Sequence, residues 1–386
     1  MGIADDHEYM TAEAYSDKHL LQPNDILFAR TGGTVGKTYF YDGKIGKAVF
    51  AGYCIRFRFD ENKVLPKYVY WYTKTSSYQK WVAGVQRPSG QPNINKEEYK
   101  SFEIILPGID VQRRLVELMD DAEKIRLESI SRTNMQLLEA KEKAFGRLGV
   151  LFDKYAPSLY SISSLGASRE MGIYCNPHSD YMKKTFLRLR NNKFYVGDLG
   201  DFIEVNPSTS RAGLENSTPV SFVPMTAVEE KTNSVMYTIK TYKEVKTGFT
   251  IFQRDDLLWA KITPCMQNGK SFIASNMPTA IGFGSTEFHV LRKKDSRVYM
   301  PYLWVLLSDS HILEAAQGMF SGSAGQQRVS DVFLKKLPLV LPPIEIQIGL
   351  AESIYDAMKE SQQMQADAEK RWQAAKDYFE RELWGE

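Results

Sequence analysis

The chain states one pattern twice. Asn24-Asp25-Ile26-Leu27-Phe28-Ala29-Arg30 returns as Asp255-Asp256-Leu257-Leu258-Trp259-Ala260-Lys261. Gly36-Lys37-Thr38 returns as Gly269-Lys270-Ser271, and Tyr68-Val69-Tyr70 as Tyr302-Leu303-Trp304. Ser89-Gly90-Gln91 has its echo in Ser323-Ala324-Gly325-Gln326. Leu106-Pro107-Gly108-Ile109 with Gln112 has its echo in Leu341-Pro342-Pro343-Ile344 with Gln347. The offset drifts only from 231 at Asp25/Asp256 to 235 at Gln112/Gln347, so the matching elements keep their order. Solenoid units repeat every 20–50 residues or so. A period this long is a duplicated domain, each copy followed by an appended segment, and it points to a pseudo-symmetric target.

A length of 386 residues exceeds one ordinary core, and two or three domains are expected. A hydrophobic share of 43% and a mean hydropathy of −0.36 describe a soluble globular chain. The sequence holds no apolar run long enough to span a membrane. Its first residues lack the basic-then-apolar order of a signal peptide. Cys54, Cys175 and Cys265 are odd in number and widely spaced, which reads as reduced thiols in a cytoplasmic protein. The net charge of +2 is unevenly spread. Residues 110–149 sum to zero and residues 343–386 to −5, which leaves +7 on the remainder. Basic globular parts suit a polyanion, and neutral-to-acidic segments suit protein partners.

The appended segments read as long helices. Val111, Leu115, Leu118, Ala122 and Ile125 step by four and three, a heptad seam continued loosely by Leu137, Ala144 and Leu148. Leu350, Ile354, Ala357, Met364, Ala368, Ala375 and Phe379 repeat the pattern. Each helix follows a strand-like run (residues 102–106 and 337–341) and a proline turn, which suits a first helical turn. Neither seam can be buried by its own turn of chain, so the two helices are expected to pair antiparallel and to hold the globular parts at opposite ends.

Those globular copies read as α+β: two tandem domains separated by two long helices packing as an antiparallel coiled coil. Strand-like runs cover residues 26–30, 37–41 and 54–59, then 257–261, 271–274 and 287–291. One helix is expected near 67–82 and its match near 301–317, with short helices near 96–100 and 330–335. The chain divides into a first domain over 1–108, a first helix over 109–150, a connector over 151–194, a second domain over 195–342 and a second helix over 343–386. The connector carries Lys183, Lys184, Arg188, Arg190 and Lys193 with no acidic residue among them. Copy two starts near Tyr195, well before Met225-Thr226-Ala227, whereas Met10-Thr11-Ala12 stands almost at the start of copy one. Roughly twenty opening residues have no counterpart in copy one, so either the chain is truncated or another segment takes their place.

Two paired motifs are candidates for chemistry. Thr31-Gly32-Gly33-Thr34-Val35-Gly36-Lys37-Thr38 follows a strand like a phosphate-binding loop, but that loop needs glycine five places before its Gly-Lys pair. Thr31 and Pro264 stand there, and proline has no N–H to offer a phosphate. The alternative is a hairpin-like loop that presents Lys37 and Lys270 to a backbone phosphate. The glycine-framed loops over 84–93 and 318–328 carry Gln, Asn, Ser and Arg, the side chains that read base edges. Their glycine frames agree while their polar residues differ, as expected of one framework reading two sequences. The candidate DNA contacts are Arg30, Thr31, Lys37, Arg87, Ser89, Gln91 and Asn93 in copy one. In copy two they are Lys261, Thr263, Lys270, Ser321, Ser323, Gln326, Gln327 and Arg328. The five histidines form no metal-spaced cluster, and no dinucleotide fingerprint, nuclease-like acidic cluster or amino-methyltransferase tetrapeptide is found. A nucleotide-using enzyme and a coiled-coil scaffold with protein-binding ends are the alternatives.

The doubled Asp-Ile/Leu-Leu-aromatic-Ala-Arg/Lys strands, the Ser-Gly-Gln loops and the Leu-Pro-x-Ile…Gln helix starts resemble the specificity (S) subunit of type I restriction–modification systems, over nearly the whole chain. Where that family usually has Gly-Asp before the first strand, Asn24-Asp25 and Asp255-Asp256 stand here. Where it often has Glu before the glutamine, Val111 and Ile346 stand here. The resemblance implies one domain per half of an interrupted double-stranded DNA target and a helix pair that sets the spacing. It implies two modification (methyltransferase) subunits that bind S-adenosylmethionine, and a restriction/translocase subunit that uses ATP and magnesium. The chain itself would hold no cofactor and catalyse nothing.

Overall fold

The computed structural model describes residues 17–85, 92–149, 193–322 and 326–385. The chain forms two compact units, one of Met1–Met135 with Ser361–Glu386 and one of Gln136–Glu360. Arg87, Ser89, Gln91, Ser323 and most of the basic connector run lie outside the described residues.

In unit one, β1 (Asp25–Ala29) is the centre of a three-stranded antiparallel sheet between β2 (Thr38–Tyr41) and β3 (Cys54–Phe57). Ile26 lies opposite Phe40 on one side and Phe57 on the other. The sheet packs on α1 (Pro66–Tyr72), which carries proline in its first turn and buries Tyr68, Val69, Tyr70, Trp71 and Tyr72. The single helix expected near 67–82 is two helices. The Thr73 and Thr75 hydroxyls donate back to the Tyr70 and Tyr72 carbonyls at 2.6 and 2.7 Å, closing α1 before α2 (Ser76–Val85) opens. Asn95 caps α3 (Lys96–Lys100) in a reciprocal box with Glu98. The run over 102–106, expected as a strand, forms none; no strand lies beside it among the described residues.

Helix α4 (Ile109–Arg147) follows. Within unit one it packs antiparallel on the end of the C-terminal helix, Ile344–Trp384. Arg114 meets Glu382, Arg126 meets Glu369 and Thr133 meets Gln365, so one number rises as the other falls. Leu115 and Met119 are buried with Trp372, Ala375 and Phe379 against the aromatic core. Phe379 stacks on Tyr68 with centroids 5.6 Å apart, and Trp372 meets Trp71 edge to face at 5.6 Å. The heptad reading fails at Ile125, which is 41% exposed. Arg126 instead lies over Trp372 at 5.6 Å, and Thr133, fully buried, takes a hydrogen bond from Gln365 at 2.9 Å. A buried polar pair in such a seam fixes register at some cost in stability.

Unit two repeats this plan and extends it. The strands β9 (Leu257–Ala260), β10 (Ser271–Ile273) and β12 (Phe288–Lys293) occupy the places of β1, β2 and β3. A fourth strand, β5 (Ile203–Val205), adds to the open side of β12. It is reached from β4 (Tyr195–Asp198) through the short helix α5 (Leu199–Phe202), and β4 pairs with β15 (Pro338–Leu341). A second four-stranded sheet holds β6 (Pro219–Val223), β7 (Thr238–Thr241), β8 (Thr250–Gln253) and β11 (Ile281–Gly284), with α6 (Tyr242–Val245) beside it. Helices α7 (Met300–Leu307) and α8 (Ser310–Gln317) again stand where one helix is expected, split at Ser308-Asp309; Asp309 caps α8. The pair β13 (Phe320–Ser321) and β14 (Arg328–Val329) leads to α9 (Asp331–Lys336), capped by Ser330. Ala144, Phe145 and Leu148 of α4 share this unit's main core with Leu350, Ala351, Ile354 and Met358.

Candidate nucleic-acid interface

The candidate residues gather where the centre strand of each unit ends, and the backbone there repeats bond for bond. Arg30 N–H donates to the Tyr53 carbonyl at 2.9 Å, as Lys261 N–H donates to Glu287 at 2.9 Å. Ile94 N–H reaches the Arg30 carbonyl as Val329 N–H reaches Lys261, both at 2.9 Å. Gly32 N–H reaches Pro92 as Thr263 N–H reaches Gln327, both at 3.0 Å. Thr31 bridges Asn93 as Ile262 bridges Arg328. Two segments far apart in sequence are thereby bound edge to edge: Arg30 and Thr31 with Asn93, and Lys261 and Thr263 with Gln326, Gln327 and Arg328. Ser321 joins the second group through β13, its hydroxyl 3.5 Å from the Arg328 carbonyl.

The side chains on this shared frame differ. Tyr53 and Asn93 are exposed in unit one, and Glu287 and Arg328 hold the matching places in unit two. The Arg328 guanidinium is clasped bidentately by Glu287, with both N···O distances 2.8 Å, and also donates to the Gln326 carbonyl at 3.1 Å. That pair holds the Glu287 carboxyl below its usual range and raises the Arg328 guanidinium. Gln326 is exposed and Gln327 half-exposed. In unit one the Arg30 Nε is buried with no hydrogen-bond partner.

Lys37 and Lys270 are not part of these groups. Both follow a glycine with positive φ, Gly36 at 82° and Gly269 at 69°. A Cβ at Gly36 would sit 2.6 Å from Val82, and one at Gly269 would sit 2.9 Å from Lys231. These glycines serve a left-handed turn and a close approach to the chain beneath, a packing reason for the motif. Lys37 is exposed, and the Lys270 ammonium donates to the Met225 carbonyl at 3.4 Å.

Sequence reading missed the supports. Asp25, 1% exposed, is held by Arg58 at 2.6 Å, and Asp256, 1% exposed, by Arg292 at 2.6 Å. Each aspartate also caps the turn before its strand by accepting from Gln22 N–H or Gln253 N–H. The repeat contains these pairs, since Arg58 and Arg292 stand 234 apart. His289 is buried; its Nε2 donates to the Val329 carbonyl at 2.9 Å, and Asn206 lies 3.1 Å from its Nδ1. Burial lowers its pKa, so the ring sits neutral beneath β14. Ile55 stands at the matching place in unit one, so the repeat gives no signal for this histidine.

Among known proteins, the family model described as the type I restriction modification DNA specificity domain matches residues 3–139 and 191–366. Two curated Escherichia coli proteins are similar: the type I restriction enzyme EcoAI specificity subunit, 36% identical over 145 residues, and its EcoEI counterpart, 34% identical over 146. These matches span 37% and 38% of this chain and about a quarter, 24%, of each relative's length. A chain solved in work on complex assembly and conformational transition of the type I R-M system is 12% identical, with a TM-score of 0.48, covering 94% of this chain and 82% of that one. The S subunit from M. genitalium is 14% identical, with a TM-score of 0.41, covering 93% and 82%.

Proposed function

The chain belongs to the type I restriction–modification DNA specificity family, and from that premise we propose that each of its two units reads one half of a bipartite double-stranded DNA target. The observation that carries this reading is the repeated frame with unlike side chains: one backbone arrangement presents Tyr53 and Asn93 in unit one, and Gln326, Gln327 and Arg328 in unit two. A frame that is constant while its polar tips vary suits a reader of two different base sequences. Amide side chains match adenine edges and arginine matches guanine. Lys37, Arg30 and Lys261 supply phosphate contacts, which position the duplex without reading it. Arg328 has two states available in this mechanism: paired with Glu287 in the free protein, and turned to a guanine edge or phosphate when DNA displaces that carboxylate.

In this proposal the chain is non-catalytic and works in the cytoplasm. Its paired helices scaffold two modification subunits and a restriction/translocase subunit. S-adenosylmethionine, ATP and magnesium belong to those partners. Arg87, Ser89, Gln91 and Ser323 complete the candidate contacts.

The test is methylation by the chain co-expressed with an adenine methyltransferase partner. Scrambling residues 321–328 should abolish modification at one half-site and leave the demands of the other half unchanged. Each lost base contact should cost about 1–3 kcal/mol, a factor of roughly 5 to 150. Unchanged methylation after the scramble sinks the reading. So does binding to partner proteins that ignores salt and DNA alike, because phosphate contacts make DNA binding fall steeply with salt.

A further inference from the structure

Beside the repeated frame, unit two carries a pair of side chains that unit one does not match. Gln267 Nε2 donates to Gln317 Oε1 at 3.4 Å, joining two amides that stand 50 residues apart in the chain. Gln267 is exposed and Gln317 half-exposed. Thr34 and Ala83 stand at the matching places in unit one, both exposed, and the Thr34 hydroxyl donates to the Thr31 carbonyl at 3.4 Å.

Each amide stands on a packed base. Residues 262–269 form a compact turn after β9: Met266 N–H donates to the Ile262 carbonyl at 2.9 Å, Asn268 N–H to Pro264 at 3.0 Å and Gly269 N–H to Met266 at 2.9 Å. Met266, 1% exposed, anchors this turn in the main core, which leaves its neighbour Gln267 on the outside. The Asn268 side chain ties the turn to Glu230 at 2.8 Å. Gln317 is the last residue of α8, whose Ile312, Leu313, Ala315 and Ala316 are buried. Gly318 and Met319 lead from it into β13. Ser321 of β13 and Ile262 both pair with Arg328. The strand β14 therefore lies between the two glutamine-bearing segments, and the amide pair belongs to the same surface as Gln326, Gln327 and Arg328.

An amide offers two N–H donors and an acceptor oxygen, so one mutual bond leaves each glutamine able to donate and to accept. The bond also settles where both amides point, whereas a lone surface glutamine gives up rotamer freedom when it binds. A donor and an acceptor held side by side complement the N7 and N6 amino groups that adenine shows in the major groove. We propose, on the premise of the DNA reading above, that Gln267 and Gln317 together read an adenine in the half-site of unit two, beside the bases met by residues 326–328. Unit one, with Thr34 and Ala83 there, has no amide to hold an adenine at the matching position.

Selection of duplexes from a randomised library by the full chain, followed by sequencing, tests it. Gln267→Ala and Gln317→Ala should each weaken the preference at one A·T position, the same for both, by roughly 5- to 150-fold. Preferences at the other positions and the salt dependence of binding should stay as they are, which also shows that the variants fold. Gln317→Glu keeps an acceptor for Gln267 Nε2 but offers bases no donor, so the preference there should move towards cytosine, whose N4 amino group donates. A purely structural amide bond would survive that change with the base preference intact. Placed in turn at each adenine of the selected site, 7-deaza-adenine lacks the N7 acceptor; at this position it should weaken the wild-type chain and cost the Gln317→Ala chain nothing further. A wild-type chain that selects no sequence overturns the DNA reading and this inference with it. A wild-type chain that selects a sequence overturns this inference alone if neither alanine variant moves a position, if Gln317→Glu keeps the original preference, or if 7-deaza-adenine binds as well as adenine throughout.

Discussion

Asp25 meets Arg58 in unit one as Asp256 meets Arg292 in unit two, and the carboxylates are equally buried. The arginines are not: the Arg58 side chain is 45% exposed and that of Arg292 is 18% exposed, covered in part by residues 208–209. The same contrast recurs around each frame. Gln112 and Gln347 each tie the start of a long helix to the preceding loop, accepting from Leu65 or Tyr299 N–H and donating to Pro107 or Pro342. Tyr68 donates to Ile105 at 2.6 Å and Tyr302 to Val340 at 2.7 Å, but Val340 lies in a paired strand and Ile105 does not. These bonds are retained between the copies, while much of the filling around them is exchanged, including the Tyr78 and Tyr99 hydroxyls that donate to the Gly36 and Ala29 carbonyls in unit one. Aromatic rings (Tyr72, Tyr78, Tyr99, Phe102) stand in unit one where Leu306, Ile312, Leu334 and Leu337 stand in unit two. Directional bonds cannot be moved by small steps, whereas a core accepts other apolar shapes of adequate volume.

The largest expected break in this comparison is at the buried aspartates. Asp256→Asn leaves Arg292 without its charge partner and should cost unit two about 3–5 kcal/mol. Asp25→Asn should cost unit one less, because Arg58 can turn to water. Hydrogen exchange of the amides in β9 and β1, followed separately, reads the two losses; equal losses would mean that exposure of the arginine does not matter here. Next is His289→Ala, which strips the Val329 carbonyl and Asn206 of a partner at a cost of about 1–3 kcal/mol. The pH dependence follows from the sign of the shift. His289 is held below the ordinary histidine value, so the unfolded state binds its proton first and unit two loses stability as pH falls below about 6.5. His311 is raised by its hydrogen bond to Asp309, so its contribution is present below about 6.5 and is lost as pH rises through the raised value. His289→Gln should flatten the acid side of the unit-two stability curve and His311→Gln the neutral side. A single shared slope would contradict both.

A smaller effect sharpens the contrast at the loop tips. Glu287→Gln keeps the shape beside Arg328 and removes the charge. If DNA displaces that carboxylate, the variant should bind duplex a few-fold more tightly at low salt, the size expected of an exposed ion pair, about 0.2–1 kcal/mol. Tyr53→Phe at the matching place in unit one should leave the salt slope unchanged. Tighter binding by neither variant, or by both, would disconnect Arg328 from the DNA.

The sequence carried the repeated frame well, because Asp25, Arg30, Tyr68 and Gln112 each answer a backbone demand that only a few residue types meet. The breaks at Thr73-Lys74-Thr75 and Ser308-Asp309 were hidden because apolar residues continue at helical spacing on both sides. The second sheet of unit two was illegible for a packing reason. Its central strand Ile281-Gly282-Phe283-Gly284 reads as a turn, yet a Cβ at Gly282 would lie 2.4 Å from the Phe252 ring. The glycine is there to admit that ring. Ion pairs such as Glu287–Arg328 were hidden in another way, since 41 residues separate the partners and only the folded frame joins them.

The finest difference between the copies lies in the turns before β1 and β9. Asn24 and Asp255 adopt φ of 75° and 67°, the left-handed region that glycine occupies freely and Asn or Asp tolerate. Glycine meets no Cβ clash at such a φ, so the geometry itself favours glycine at both positions. Relief of backbone strain favours glycine by about 1 kcal/mol, and the added freedom of the unfolded chain opposes it by a similar amount. What remains depends on the side chain removed. Asn24 donates to Glu61 at 3.1 Å, whereas the Asp255 carboxylate accepts no hydrogen bond among the described residues. Asp255→Gly should therefore be neutral or stabilising by a few tenths of a kcal/mol, and Asn24→Gly slightly destabilising, while Asp255→Val should cost more than either. Urea midpoints at constant slope resolve differences of this size; a destabilising Asp255→Gly would show that the carboxylate, not the turn, is what unit two retains there.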